Sequence, residues 1–319
     1  MTLPLHIPSL LAAGANPLGH VLDKPDKLPI PGTGYGLSMN SITLLVVTAI
    51  FIWVMTVVAR AIAPGPESEG RDRYVTRGRF AHLIEVIVVY LLDTVIRPQL
   101  GSDAKRFAPF LLTLFFFILF NNLFGLIPLM DLQYLITSLA GREGGPTAWI
   151  GGTATGRLAV TAGLALTAFI IWNINGIRTG GLGGWAHHFL GGGPAYLAPI
   201  MVPVEIVGTI VKPAALAVRL FANMTAGHVL LAVIIGFTAA APRALGWLGA
   251  PITVVAAVGG VLIFFLEVFV AFLQAFIFMF LTTLFIAQLA HHHHDDHAGA
   301  EAYDPEHPAK HDAAAPVTV

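Results

Sequence analysis

Residues 199–240 read PIMVPVEIVGTIVKPAALAVRLFANMTAGHVLLAVIIGFTAA, and residues 251–290 read PITVVAAVGGVLIFFLEVFVAFLQAFIFMFLTTLFIAQLA. Each run is about 40 residues. As continuous helix that is roughly 60 Å, twice the ~30 Å of hydrocarbon in a bilayer. Either each run folds back, or each is one long tilted helix supported by another protein. Pro203, Gly208, Pro213 and Gly227 permit bending in the first run, but none forms a clear turn. The tilted reading is preferred.

The rest of the chain agrees with lipid as the solvent. Of 319 residues, 56% are hydrophobic and only 11% charged, and the mean hydropathy is +0.77. Soluble domains carry about a quarter charged residues. Segments 41–59, 107–130 and 158–175 contain no Asp, Glu, Lys or Arg, and each approaches the ~20 residues that cross a bilayer. The segment 80–97 differs. Phe80, Leu83, Ile84, Ile87, Leu91 and Val95 form a helical stripe, but Glu85, Asp93 and Arg97 interrupt it. A helix lying in the interface is expected there.

The expected fold is therefore all-α: a polytopic membrane protein of about five transmembrane helices plus one interfacial helix, the last two long and tilted. An N-terminal extracytoplasmic segment covers 1–40 and a membrane-embedded domain 41–290. Its spans are expected at 41–62, 107–130, 157–176, 199–240 and 251–290, with the interfacial helix at 80–98. A polar tail, 291–319, beginning HHHHDDH, is expected to be disordered and cytoplasmic.

Basic residues set the orientation. The connection 60–106 holds Arg60, Arg71, Arg73, Arg77, Arg79, Arg97, Lys105 and Arg106 out of a total Lys+Arg of 17, which makes it cytoplasmic by the positive-inside tendency. Five crossings then place the N-terminus outside and the C-terminus inside. The connections 131–156, with Arg142, and 241–250, with Arg243, fall outside. No signal or transit peptide is visible, which favours a bacterial plasma (inner) membrane. The chain has no cysteine, so disulfides and cysteine-held metals are excluded. No basic patch with interleaved aromatics suggests nucleic acid, no Walker A motif is present, and no cofactor or metal site is expected. The HHHHDDH stretch is read as a solvated tail rather than a metal site.

Between 199 and 290 the only charged residues are Glu205, Lys212, Arg219, Arg243 and Glu267. Arg243 lies in the turn. A central charge costs at least ~2.5–3.5 kcal/mol even on the lenient insertion scale, so the other four are functional candidates. Glu205, Lys212 and Arg219 are seven apart and share a helical face, drifting about 20° per step. Asn223 lies one turn beyond Arg219. His228, nine residues from Arg219, is about 180° round the helix. On the last run Glu267 and Gln274 are seven apart, and Gln288 is two further steps of seven along the same stripe. Plainer readings stand beside these: Glu205 and Lys212 as a helix-end pair, His228 and Glu267 as a buried structural pair, Asn223 and Gln274 as interhelical glue. Histidine titrates near neutral pH, carboxyl groups do so when buried, and arginine keeps its proton. Titratable groups plus one permanent charge suit a gated proton path.

VKPAALAVRLFANMTAGHVLL (211–231) followed by LEVFVAFLQAFIFMFLTTLFIAQLA (266–290) resembles the two signature helices of the subunit a family of rotary (F-type) ATP synthases. FNNLFGLIP (120–128), with Asn121 and Asn122, resembles an earlier motif of that family. The resemblance is strong over roughly 105–290 and weak over the first 40 residues and the tail. It implies a stator that offers two offset proton half-channels to a ring of c subunits, with the b subunits of a peripheral stalk and the rest of the complex as further partners. It matches Arg219 to the gate facing the ring carboxylates, and Asn223 and Gln274 to polar residues beside it. Glu205 matches the cytoplasmic half-channel, and His228 and Glu267 the other. Lys212, Asn121 and Asn122 are supporting candidates. The acid and the imidazole are exchanged relative to a common bacterial pattern, which keeps the same two groups in one site. No catalysis is expected of the chain alone. A secondary transporter is disfavoured by the lack of an internal repeat, and a structural scaffold would tolerate loss of Arg219.

Overall fold

A computed structural model describes residues 28–29, 36–63, 76, 78–127, 129, 156–188, 196 and 198–301. Among these residues, seven α-helices follow a two-residue strand pair, β1 (Leu28–Pro29) and β2 (Gly36–Leu37), joined antiparallel. The helices are α1 (Met39–Ile62), α2 (Arg79–Leu91), α3 (Arg97–Leu100), α4 (Ala104–Gly125), α5 (Leu158–His188), α6 (Ala198–Leu245) and α7 (Ala250–Glu301). Among the described residues, five stretches are long and apolar enough to cross a membrane: Met39–Ile62, Arg79–Gly125, Leu158–Arg178, Ala198–Leu231 and Gly246–Gln288. The expected all-α membrane fold with two very long final helices is what the chain adopts; α6 has 48 residues and α7 has 52.

Several boundaries differ from expectation, for local reasons. A π-helical turn, Leu92–Ile96, joins α2 directly to α3, with Asp93 and Arg97 ion-paired across it. The chain then turns into α4 at Gly101, whose φ of 52° and ψ of −120° are comfortable only for glycine. α4 ends at Gly125 rather than near Met130, because Pro128 disfavours helix in the residues just before it. α5 continues past 176 to His188, broken at Gly181 (φ 64°, ψ 178°). The tail expected to be disordered from His291 remains helical to Glu301. Helix propagates once begun, and no proline interrupts this sequence before Pro305. The N-terminal segment before Leu28, the connection 130–155 with Arg142, and the tail from 302 lie outside the described residues, as do Arg71, Arg73 and Arg77.

α7 is the hub, packing on α6, α5 and α4. Small residues line its contacts: Ala271 and Ala275 on α7, Ala165 and Ala168 on α5, and Ala217 on α6 are buried. In lipid, helices gain nothing from hiding apolar surface, so close backbone approach over small residues must supply the packing. Aromatic edges fill the wider gaps, with Phe115 on Phe272 (5.6 Å between centroids) and Trp172 on Phe285 (4.8 Å). The outside is apolar: Trp53 is 67% exposed, and Ile52, Val255, Leu262 and Phe265 are similarly bare. In water this surface would aggregate; against acyl chains it is stable.

One polar clamp fixes an end of the bundle. Ser38 caps α1, accepting from the Ser41 amide at 3.3 Å. Arg157, just before α5, donates to the hydroxyls of Ser38 (2.6 Å) and Ser41 (3.0 Å). The N-terminal ends of α1 and α5 therefore share one side of the bundle.

Candidate functional site

α6 and α7 form an antiparallel pair whose register can be read from cross-helix neighbours. Lys212 meets Phe285, Asn223 meets Gln274, Gly227 meets Glu267, and Thr238 meets Thr253. As position advances along α6, its partner recedes along α7. At the turn, Gly249 packs against the backbone of Ala241 so closely that no side chain fits.

Arg219 is exposed on the outer face of α6, flanked by exposed Val218, Ala222 and Ala226. The opposite face, with Leu216, Ala217, Leu220 and Met224, is buried in the bundle. No carboxylate lies within ion-pair distance of Arg219 among the described residues. A guanidinium is always charged and carries five donors, so an unpaired one on an apolar membrane face is costly. It calls for an anionic partner beyond the described residues.

Asn223, also exposed, donates through Nδ2 to Oε1 of Gln274 at 3.2 Å. Gln274 is 1% exposed and leaves its own Nε2 without a partner among the described residues. The pair bridges α6 and α7 one turn from Arg219.

Glu267 is 5% exposed, and neither carboxylate oxygen has a hydrogen-bond partner among the described residues. Its Oε1 occupies the space where a side chain at Gly227 would begin: a Cβ there would stand 2.7 Å away. His228 is the next residue, so the imidazole and the carboxylate belong to the same level of the bundle. A buried carboxylate without donors is expensive when ionised. It fits a group that takes up and gives away a proton.

Glu205 and Lys212 are half-buried and paired at 3.5 Å. The Lys212 ammonium also sits over the ring of Phe285, 5.4 Å from its centroid. Asn121 and Asn122 are buried in α4. Asn121 donates to the carbonyl of Phe117 at 2.9 Å, while its Oδ1 is left without a partner among the described residues. The Phe115–Phe272 contact joins α4 to α7. Gln288 is exposed and apart from this group.

Sequence reasoning missed two features. Gly227 reads in the sequence only as a residue that permits bending, yet α6 passes through it as helix and the glycine is a socket for Glu267; its position beside His228 is the only signal. Phe285, which sits under Lys212, and Trp172, which packs on Phe285, had no signal at all among so many aromatics.

Fold and site together define a polytopic helical membrane protein with titratable groups between its two longest helices and a bare cation outside them. The family model for the ATP synthase A chain matches residues 39–287, from the start of α1 to the end of the apolar part of α7, and the chain belongs to that family. It is 38% identical over 269 residues to the ATP synthase subunit a of Myxococcus xanthus (strain DK1622), covering 83% of this chain and 75% of the relative. The subunit a of Chloroherpeton thalassium (strain ATCC 35110 / GB-78) is 36% identical over 277 residues, covering 86% and 73%. That of Anaeromyxobacter dehalogenans (strain 2CP-1 / ATCC BAA-258) is 44% identical over 232 residues, covering 71% of this chain and 53% of the relative. The chain is thus a multi-span membrane subunit of a proton-translocating ATP synthase.

Proposed function

We propose that this chain conducts protons between the membrane surfaces and a ring of c subunits, through two half-channels separated by Arg219. A single observation carries the reading: Arg219 projects, unpaired among the described residues, from an apolar face, while Gln274 and Glu267 lie buried behind it. A proton enters from outside past His228 and Glu267 and neutralises a ring carboxylate. The neutral site turns into lipid, where a charged one could not go. On its return it releases the proton on the Glu205 side. Arg219 holds the ionised carboxylate between the two channels and cannot relay a proton itself. Each charge crossing 100 mV releases ~2.3 kcal/mol, so several must pass for each ATP, whose chemistry belongs to other subunits. The b subunits of the stalk hold the chain against the turning ring. The N-terminus lies outside and the C-terminus in the cytoplasm of a bacterial inner membrane; the Arg157 clamp, which groups the starts of α1 and α5, supports that alternation.

The test is Arg219→Ala in the whole complex, reconstituted in liposomes, with assembly checked by subunit composition. Loss of ATP-driven proton uptake with assembly intact is expected, along with a raised passive leak. Pumping near the unmodified rate would overturn the gate.

A further inference from the structure

Lys212 lies seven residues from Glu205 and seven from Arg219, on the face of α6 that carries both. Left free, it would offer a second mobile cation close to the gate. Two contacts hold it elsewhere. Its ammonium is 3.5 Å from Oε1 of Glu205 and lies over the ring of Phe285 on α7, 5.4 Å from the centroid. Phe285 is itself fixed by the edge of Trp172 on α5, at 4.8 Å and 72°, and Trp172 by Phe169, at 5.4 Å. Trp172 is buried, so the stack has a rigid base.

We infer that Lys212 is a positioning residue: anchored on the Phe285–Trp172 stack, it holds the Glu205 carboxylate in place at the inner end of the path. The inference rests on the reading that Glu205 serves the cytoplasmic half-channel. The chemistry is specific. An ammonium within 6 Å of an aromatic face is attracted by the ring's negative quadrupole, and the four-carbon stem of lysine lies along apolar surface while its head meets a partner. Glu205 and Lys212 are two helical turns apart, so they meet only if both side chains are drawn together along the axis. A ring attached to α7 and α5 provides the fixed point. The arrangement makes the position of an α6 carboxylate depend on two other helices, so the outlet stays in place as the ring turns past it. It also removes Lys212 from competition with Arg219 for ring carboxylates.

The test uses the whole complex in liposomes, with Glu205→Gln, Lys212→Gln, the double variant, and Phe285→Leu, each checked for assembly. Glu205→Gln and Lys212→Gln should each lower ATP-driven proton uptake on the order of fivefold, and the double variant should be no worse than either, because residues acting through one contact are non-additive. Phe285→Leu, which keeps every charge, should reproduce part of the Lys212→Gln loss, and Lys212→Arg should restore most of it. If Lys212→Gln does not assemble, the Phe285→Leu result alone decides, and unchanged uptake there overturns the anchor. If Glu205→Gln slows uptake while Lys212→Gln leaves it unchanged, or if the two losses multiply, the positioning role is wrong and the outlet reading stands. If Glu205→Gln has no effect, the outlet reading fails and the inference falls with it.

Discussion

The carboxylate of Glu267 rests directly against Gly227 on the neighbouring helix, in the space a methyl group on that glycine would need. The atom in the way is the far end of a flexible side chain, so a substitution there displaces the carboxylate without breaking the fold.

Gly227→Ala should therefore assemble normally and lower proton pumping by about tenfold or more, as the carboxylate is turned out of its place. Glu267→Asp, one methylene shorter, should recover part of the loss when combined with Gly227→Ala. Pumping and subunit composition of the three variants check this. A Gly227→Ala complex that pumps at the unmodified rate would show that the close approach is incidental.

Gln274→Leu separates function from stability. The change removes one hydrogen bond, worth about 0.5–1.5 kcal/mol net, but also a buried amide nitrogen whose burial costs about 1–3 kcal/mol when unsatisfied. These nearly cancel, so the melting temperature of the complex should scarcely move while pumping falls severalfold. A large melting shift with normal pumping would make the Asn223–Gln274 bridge mere interhelical adhesion.

Orientation can be read with single cysteines, since the chain has none of its own. Trp247, 84% exposed in the turn between α6 and α7, should as Trp247→Cys react with an impermeant maleimide added outside intact cells. His82→Cys, on exposed α2, should react only in inverted membranes. The reverse pattern would invert the assignment of both half-channels.

Much of the architecture was legible because lipid imposes a simple rule: uncharged stretches of sufficient length must be helices. The seven-residue spacing by itself puts Glu205, Lys212 and Arg219 on one helical face. What the repeat could not give was which side chain meets which across two helices, since that depends on axial register. Hence Gly227 reads only as a residue that permits bending, and Phe285 as one of 21 phenylalanines. The π-turn after Leu91 was equally hidden, because it has no composition of its own. The extension of α7 through the histidines has no composition-based signal, since a polar run reads as a tail, although no proline stands in it.

Gly101→Ala tests the turn that separates α3 from α4. A Cβ there meets nothing within 4 Å, so the cost is backbone strain alone, about 1–3 kcal/mol for a side chain held at that φ. Thermal unfolding should shift downward, with pumping per assembled complex unchanged. An unaltered transition would mean that the turn relaxes to ordinary helix.

The apolar stretch of α6 from Ala198 to Leu231 is 34 residues, about 51 Å of helix, roughly 20 Å more than the hydrocarbon is thick. That surplus has nowhere to go but sideways. On the proposed reading, an oblique helix converts distance along the sequence into distance along the plane of the membrane, so that Glu205 and His228 would open at different points of the c ring's circumference. Inlet and outlet would then need no separate walls to keep them apart, because the angle of one helix would make the journey between them an arc.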